Sequence, residues 1–299
     1  MATAVLATGC AAERAPVSRP ASSPSPGACP TAPVDVVVSV DQWGDIVSEL
    51  GGACAAVTTV LASSSIDPHD YEPAPADAAS FSGAQLIVVN GADYDHWATD
   101  LAATAAPAAP VVSAAAVTGT AAGANPHLWY RPAAISAVAD AVTAELSRID
   151  PAAAEYFAER RTAFTTAIQP YSNLIADIKA GAAGKSYAAT ESIFDYLAQA
   201  LGLVNKTPAG YQRAAAAEAE PSPGDVAAFH NALAANQIDV LVYNTQTEGS
   251  IPEQIRAVAE QSGVPVVEVT ETVPPGEQSF VAWQDGQLTA LAEALGVRS

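Results

Sequence analysis

The chain has 299 residues, half of them hydrophobic, with 12 Lys and Arg against 32 Asp and Glu, a formal net charge of −20. That length allows about two domains with substantial cores. The acidity excludes nucleic acid and anionic lipid surfaces as electrostatic partners, and no run of about 18 apolar residues follows the N-terminal leader to span a membrane.

The N-terminal "MATAVLATGC" is apolar and ends in Ala7-Thr8-Gly9-Cys10. This looks like the tail of a lipoprotein signal peptide, with Cys10 as the lipidated residue. A positive n-region is missing and the apolar stretch is short, as expected of a truncated start; the alternative is a plain Ala-rich leader. Residues up to 33 are rich in Pro, Ser and Ala, the composition of an extended, flexible tether. With Cys10 as anchor, an exported chain leaves Cys29 and Cys54 as a pair. A disulfide tying the tether's end to the loop after the first helix is expected, with two buried thiols as the alternative.

From Val34 onward, short apolar runs alternate with amphipathic segments. "VDVVVSV" has the Val-rich brevity of a buried parallel strand. "DQWGDIVSELGG" reads as a helix closed by Gly51 and Gly52. The alternation continues through "AVTTVLA", "PADAASF", "QLIVVNG", "DHWATDLAATA" and "APVVSAAA" to a helix over 132–149, with Pro132 in its first turn. Residues 151–182 keep helical periodicity and predict a rod of roughly 45 Å, bent at Pro170. After Gly184 the alternation resumes, ending in a helix from about Ser279. The expected fold is α/β: an N-terminal lobe over 34–150, a linking helix over 151–182 and a C-terminal lobe over 183–299. Each lobe is a mostly parallel sheet flanked by helices. An internal echo supports two lobes on one plan. "EPAPADAASF" from Glu72 resembles "EPSPGDVAAF" from Glu220, and each precedes a strand ending in Asn, at Asn90 and Asn244.

Ligand-type residues recur where predicted strands give way to loop. His69 follows "TTVLASSS", His127 sits in "NPHLW", Glu191 follows "KSYAAT" at the start of a helix, and Glu271 follows "PVVEVT". Binding groups collect at the carboxyl ends of strands in open α/β sheets. Two facing lobes would present His69 and His127 from one side and Glu191 and Glu271 from the other. Two imidazoles and two carboxylates suit a divalent first-row metal. Pro68 and Pro126 restrict the backbone before each His. Taken singly, each residue reads equally as a hydrogen-bonded loop residue, a helix N-terminal acid or a surface carboxylate. His96 falls on a helix near the same cleft, and His230 on a solvent-facing position of an amphipathic helix.

"DPHDYEP", "NPHLW", "ATESIFDYLAQALGL" and "VLVYNTQTEGSIPEQI" resemble the metal-binding proteins of bacterial ABC importers for zinc and manganese, over residue 34 to the end. The resemblance implies two α/β lobes joined by one long rigid helix, with the metal between them. Carried over by motif, the ligands are His69, His127 and Glu191. The fourth is usually an Asp after the last strand; "VTET" offers Glu271 instead. Zinc-specific members often hold His at the third position and a His-rich loop. Glu191 and the His-free "VTGTAAGAN" lean toward manganese without excluding zinc.

The expected function is capture of one divalent ion, zinc or manganese, as cargo outside the membrane, and its delivery to an ABC transporter permease. The protein would be a lipid-anchored monomer at the cell surface or in the periplasm, not an enzyme. The alternatives are a secreted metalloenzyme and a metal-dependent surface adhesin. HExxH, GxSxG and P-loop motifs are all absent from the sequence.

Overall fold

The computed structural model describes residues 27–62, 71–217, 219–247, 249–277 and 279–297. Two four-stranded sheets form its frame. The first contains β1 (Val34–Val40), β2 (Ala55–Leu61), β3 (Leu86–Val89) and β4 (Val111–Ser113), in the order β2-β1-β3-β4. The second contains β5 (Ser186–Ala189), β6 (Val204–Asn205), β7 (Val240–Asn244) and β8 (Val266–Val269), in the order β6-β5-β7-β8. All paired strands are parallel. Adding four to each strand number of the first sheet gives the second, so the lobes share one wiring. In each, the chain winds one way from the first strand and the other way from the third. The crevice at that switch point lies at the carboxyl ends of β1 and β3, and of β5 and β7.

The strands are short and apolar because helices cover both faces. All four residues of β3 are buried, as are six of the seven of β1. In the second sheet the two-residue period sorts side chains between two cores. Tyr187, Ala189, Val240 and Val242 face a large cluster that runs without interruption into the first lobe. Ala188 and Leu241 face a smaller cluster with Tyr211, Phe229 and Ile255 on the far side. The lobes are thus joined by shared apolar packing as well as by chain.

The helices in chain order are α1 (Asp41–Gly51), α2 (Pro75–Phe81), α3 (His96–Ala105), α4 (Ala114–Thr118), α5 (Pro132–Ile149), α6 (Ala154–Ala167), α7 (Gln169–Gly181), α8 (Asp195–Leu201), α9 (Ala209–Ala216), α10 (Pro223–Ala234), α11 (Ser250–Gln261) and α12 (Phe280–Ala294). The two halves of the sequence echo begin α2 and α10, each with Pro in its first turn, and each helix leads into the third strand of its sheet.

Three features differ from expectation. The segment over 151–182 is two helices, α6 and α7, separated at Ile168. The amide of Ile168 still donates to Phe164 and that of Ser172 to Ile168. The break falls where Pro170 supplies no donor to the preceding turn. "AAA" after β4 is helical, because Ser113 caps the amide of Ala116 and Gly119 closes the turn with φ of 66°. Glu191 lies four residues before α8, in an irregular loop rather than at a helix start.

Cys29 and Cys54 are joined in a disulfide across 25 residues, with Cα atoms 4.9 Å apart. It fastens the segment preceding β1 to the turn between α1 and β2. Closing a loop of that size restricts the unfolded chain by about 3–4 kcal/mol. Replacing both with Ser should therefore lower the unfolding free energy by about 2–4 kcal/mol in denaturant melts. An unchanged midpoint under non-reducing conditions would contradict this.

Candidate metal centre

The two crevices face each other, and each is prepared in the same way by an Asn at the end of its third strand. In the second lobe, Asn244 closes β7 and its Nδ2 donates to Glu191 Oε2 at 2.6 Å. Thr247 Oγ1 donates to the same oxygen at 2.6 Å. These bonds fix the carboxylate with Oε1 3.7 Å from Nε2 of His127 in the opposite lobe. In the first lobe, Asn90 follows β3. Its Oδ1 accepts from Trp43 Nε1 at 3.0 Å, and its Nδ2 donates to the carbonyl of Pro126, the residue before His127, at 2.9 Å.

The turn after Asn90 is left-handed at three successive residues, Gly91, Ala92 and Asp93, with φ of 76°, 55° and 67°. Such a conformation costs non-glycine residues about 1 kcal/mol or more each. The buried carboxylate of Asp95 holds it, accepting from the amides of Asn90 and Gly91 at 2.6 and 2.7 Å and from the Ser39 hydroxyl at the end of β1. The turn places Tyr94 under His127, with ring centroids 6.3 Å apart, and Trp129 packs on the same imidazole at 5.3 Å.

Glu271 sits two residues beyond β8 and is fixed through its backbone. Its amide donates to Gln246 Oε1 at 2.6 Å, and its carbonyl accepts from Gln42 Nε2 of the first lobe at 2.8 Å. The preceding Thr270 is bound by Gln287 and Trp283 of α12, and its carbonyl lies 2.8 Å from the Tyr130 hydroxyl. With the backbone so held, the Glu271 carboxylate reaches His127, with Oε1 3.0 Å from Nε2. His127 and Glu271 are only 2% and 3% exposed, whereas Glu191 is partly open to solvent. Burial, with the Glu271 charge next, pushes the Tyr94 phenol well above its ordinary value, so its hydroxyl stays protonated beside the pair.

His127, Glu191 and Glu271 therefore each offer a ligand atom, all within 4.8 Å of one another. Two ligand atoms about 2.1 Å from one ion at a tetrahedral angle lie about 3.4 Å apart. The separations of 3.0 and 3.7 Å bracket that value. His69 and Cys10 lie outside the described residues. His96 is the first residue of α3, is exposed, and does not join the cluster. His230 on α10 is half-buried, with Nε2 shielded from solvent, rather than fully facing water. The residues that orient the ligands were not singled out as functional in the sequence. Two of them, Asn90 and Asn244, had a signal in the repeated strand-Asn ending. Gln246 and Thr247 lie within the quoted "VLVYNTQTEGSIPEQI" stretch, and Gln42 had no signal.

A sequence model of the family described as the periplasmic component A of zinc-uptake complexes matches residues 36–294. The chain belongs to this family. Similar members include the manganese-binding lipoprotein MntA of Halalkalibacterium halodurans, 24% identical over 182 residues, which cover 59% of this chain and 57% of that protein. The high-affinity zinc uptake system protein ZnuA of Bacillus subtilis is 22% identical over 80% of this chain and 81% of its own. The iron-binding protein YfeA of Yersinia pestis is 26% identical over 56% of each chain. The match thus spans just over half the length of the manganese and iron proteins. Among solved structures, the binding protein FpvC of Pseudomonas aeruginosa with Mn²⁺ superposes with a TM-score of 0.73 at 22% identity, over 88% of this chain and 98% of that one. A ZnuA crystal structure gives 0.69 at 18% identity, over 89% and 100%. The zinc-uptake component A family accordingly supplies the two-lobed fold, and no helix among the described residues is long and apolar enough to cross a membrane.

A second acidic group abuts the Glu271 loop. Asp41 and Asp45, one turn apart on α1, accept from the amides of Val273 and Phe280, at either end of the segment between Glu271 and α12. Burial pushes the Asp41 carboxyl up to about 7, against the lowering effect of its backbone hydrogen bonds. The folded value lies above the unfolded one near 3.8. The native state therefore holds more protons than the unfolded chain between about pH 4 and 7. The stability this contributes is full below that window and is lost as pH rises through it. Asp41→Asn should flatten that decline and raise the unfolding free energy at mildly alkaline pH by on the order of 1–2 kcal/mol over wild type. Denaturant melts at several pH values check this; parallel pH profiles would contradict it.

Proposed function

We propose that this protein captures one divalent transition-metal ion between its lobes, outside the membrane, and passes it to the permease of an ABC importer. The observation that carries the reading is the convergence of His127, Glu191 and Glu271 from two lobes on one partly solvent-accessible point. His69, in the other Pro-His pair of the sequence, is proposed as the fourth ligand. The related proteins named for manganese, zinc and iron support a first-row cargo. Two carboxylates beside imidazole form a harder donor set than a His-rich one, which favours manganese, while zinc binds most nitrogen and oxygen sites more tightly. Lipid anchoring through Cys10 and a monomeric state complete the proposal.

The chemistry is retention and release rather than turnover. A hydrolytic metal site keeps a position open for water and places a general base beside it. Four protein ligands would fill the positions a water would take, and the three among the described residues are each held by hydrogen bonds. The imidazole nitrogen and carboxylate oxygens must be free of protons to hold a cation. Binding should then release protons, and affinity should fall as pH drops.

Calorimetric titration of chelator-stripped protein with Zn²⁺ and with Mn²⁺ tests this. One ion per chain is expected, with binding abolished in His127→Ala and weakened at least about 10-fold in His69→Ala and Glu271→Gln. Wild-type affinity in His127→Ala would defeat the site assignment.

A further inference from the structure

Asn125 occupies an unusual position, bonding to both lobes from a single side chain. Its Oδ1 lies 3.0 Å from the backbone nitrogen of His127 and 2.8 Å from Nδ1 of the same residue. Its Nδ2 donates at 2.7 Å to the carbonyl of Ser192, the residue after Glu191 in the opposite lobe. Its own carbonyl accepts from the Tyr196 hydroxyl at 2.8 Å, also from that lobe.

The orientation of this amide is decided by two backbone groups. A backbone N–H can only donate, so the atom facing His127 N is the oxygen. A backbone carbonyl can only accept, so the atom facing Ser192 is the nitrogen. An oxygen at 2.8 Å from Nδ1 then requires that Nδ1 carry the hydrogen. The lone pair available to a cation is therefore on Nε2, the atom directed at Glu191 and Glu271. The Nδ1–H assignment holds whatever Nε2 faces.

Resting on the metal-site reading above, we infer that Asn125 is a positioning residue that couples two conditions for binding. With one end it fixes the His127 ring in the tautomer that offers Nε2. With the other it holds the backbone beside Glu191, so that the second lobe's carboxylate is in place when the imidazole is. The same amide cannot do both unless the lobes are together, so ring orientation and lobe approach occur as one event. Residues that hold the far nitrogen of a ligating His typically change metal affinity about 10- to 100-fold when removed.

The test uses full-length, zinc-loaded protein with Asn125→Ala and Asn125→Asp. The Asp variant keeps an acceptor for Nδ1–H and loses the donor to Ser192, so it restores one function only. Nitrogen-15 NMR of the His127 ring should find a protected Nδ1–H with Nε2 on zinc in wild type and in Asn125→Asp. In Asn125→Ala that protected hydrogen should vanish, and zinc affinity should fall about 10- to 100-fold. The Asp variant should lose less affinity than the Ala variant. Unchanged affinity and a still-protected Nδ1–H in Asn125→Ala, while His127→Ala abolishes binding, would overturn the inference. Equal losses in both variants, with the Nδ1–H intact in both, would also overturn it, since a merely structural role predicts that result. A wild-type protein that takes up no zinc would overturn this inference and the metal site together, which the wild-type titration separates from a failure of Asn125 alone.

Discussion

His127 and Glu271 meet at 3.0 Å across the junction of two lobes, both almost wholly buried. A carboxylate in that position is expensive unless a positive partner and hydrogen bonds compensate it. Much of the surrounding structure can be understood as meeting that cost. Glutamines from both lobes bond the Glu271 backbone, Asn125 secures the imidazole, and Tyr94 and Trp129 pack against it. The arrangement leaves a concentration of negative charge, including Glu191, which a divalent cation neutralises better than a single proton does.

The duplicated wiring explains why such a site forms between lobes rather than within one. Each sheet has a single switch point, and each presents its loops at the carboxyl ends of its central strands. Asn90 and Asn244 end equivalent strands and act on the ligand of their own lobe, one through the Pro126 carbonyl and one directly on the Glu191 carboxylate. The apolar cluster that runs from the first lobe into the second keeps those two ends opposed. Large hinge motion would expose that cluster to water, so local rearrangement of the partly open Glu191 loop is the less costly route for the ion.

The fold was largely legible because its signals are local and repeated. Short Val-rich strands, helices begun by Pro and closed by Gly, and the Glu-Pro-x-Pro echo all report nearby backbone chemistry. The departures arose where a local rule competes with another. Pro170 interrupts hydrogen bonding and separates α6 from α7 at Ile168, and Ser113 caps an alanine run into a helix. Glu191 and Glu271 were legible because each follows a strand, a position that topology makes common, and His127, which lies beyond α4, through its Asn-Pro-His motif. Most of their supports were not. Nothing in the spacing of Gln42 or Gln246 announces that each will bond the backbone of a residue far along the chain. Asn125 stood within the Asn-Pro-His motif, but its reach to Ser192 depends on how the second lobe packs.

Anomalous diffraction from crystals of the metal-loaded protein, collected at the absorption edge of the bound ion, tests the central claim most directly. The account predicts one peak between the lobes, about 2.0–2.3 Å from His127 Nε2 and from a carboxylate oxygen of both Glu191 and Glu271, with His69 completing the shell. A peak elsewhere, with the His127–Glu271 contact unbroken beside it, would contradict the account.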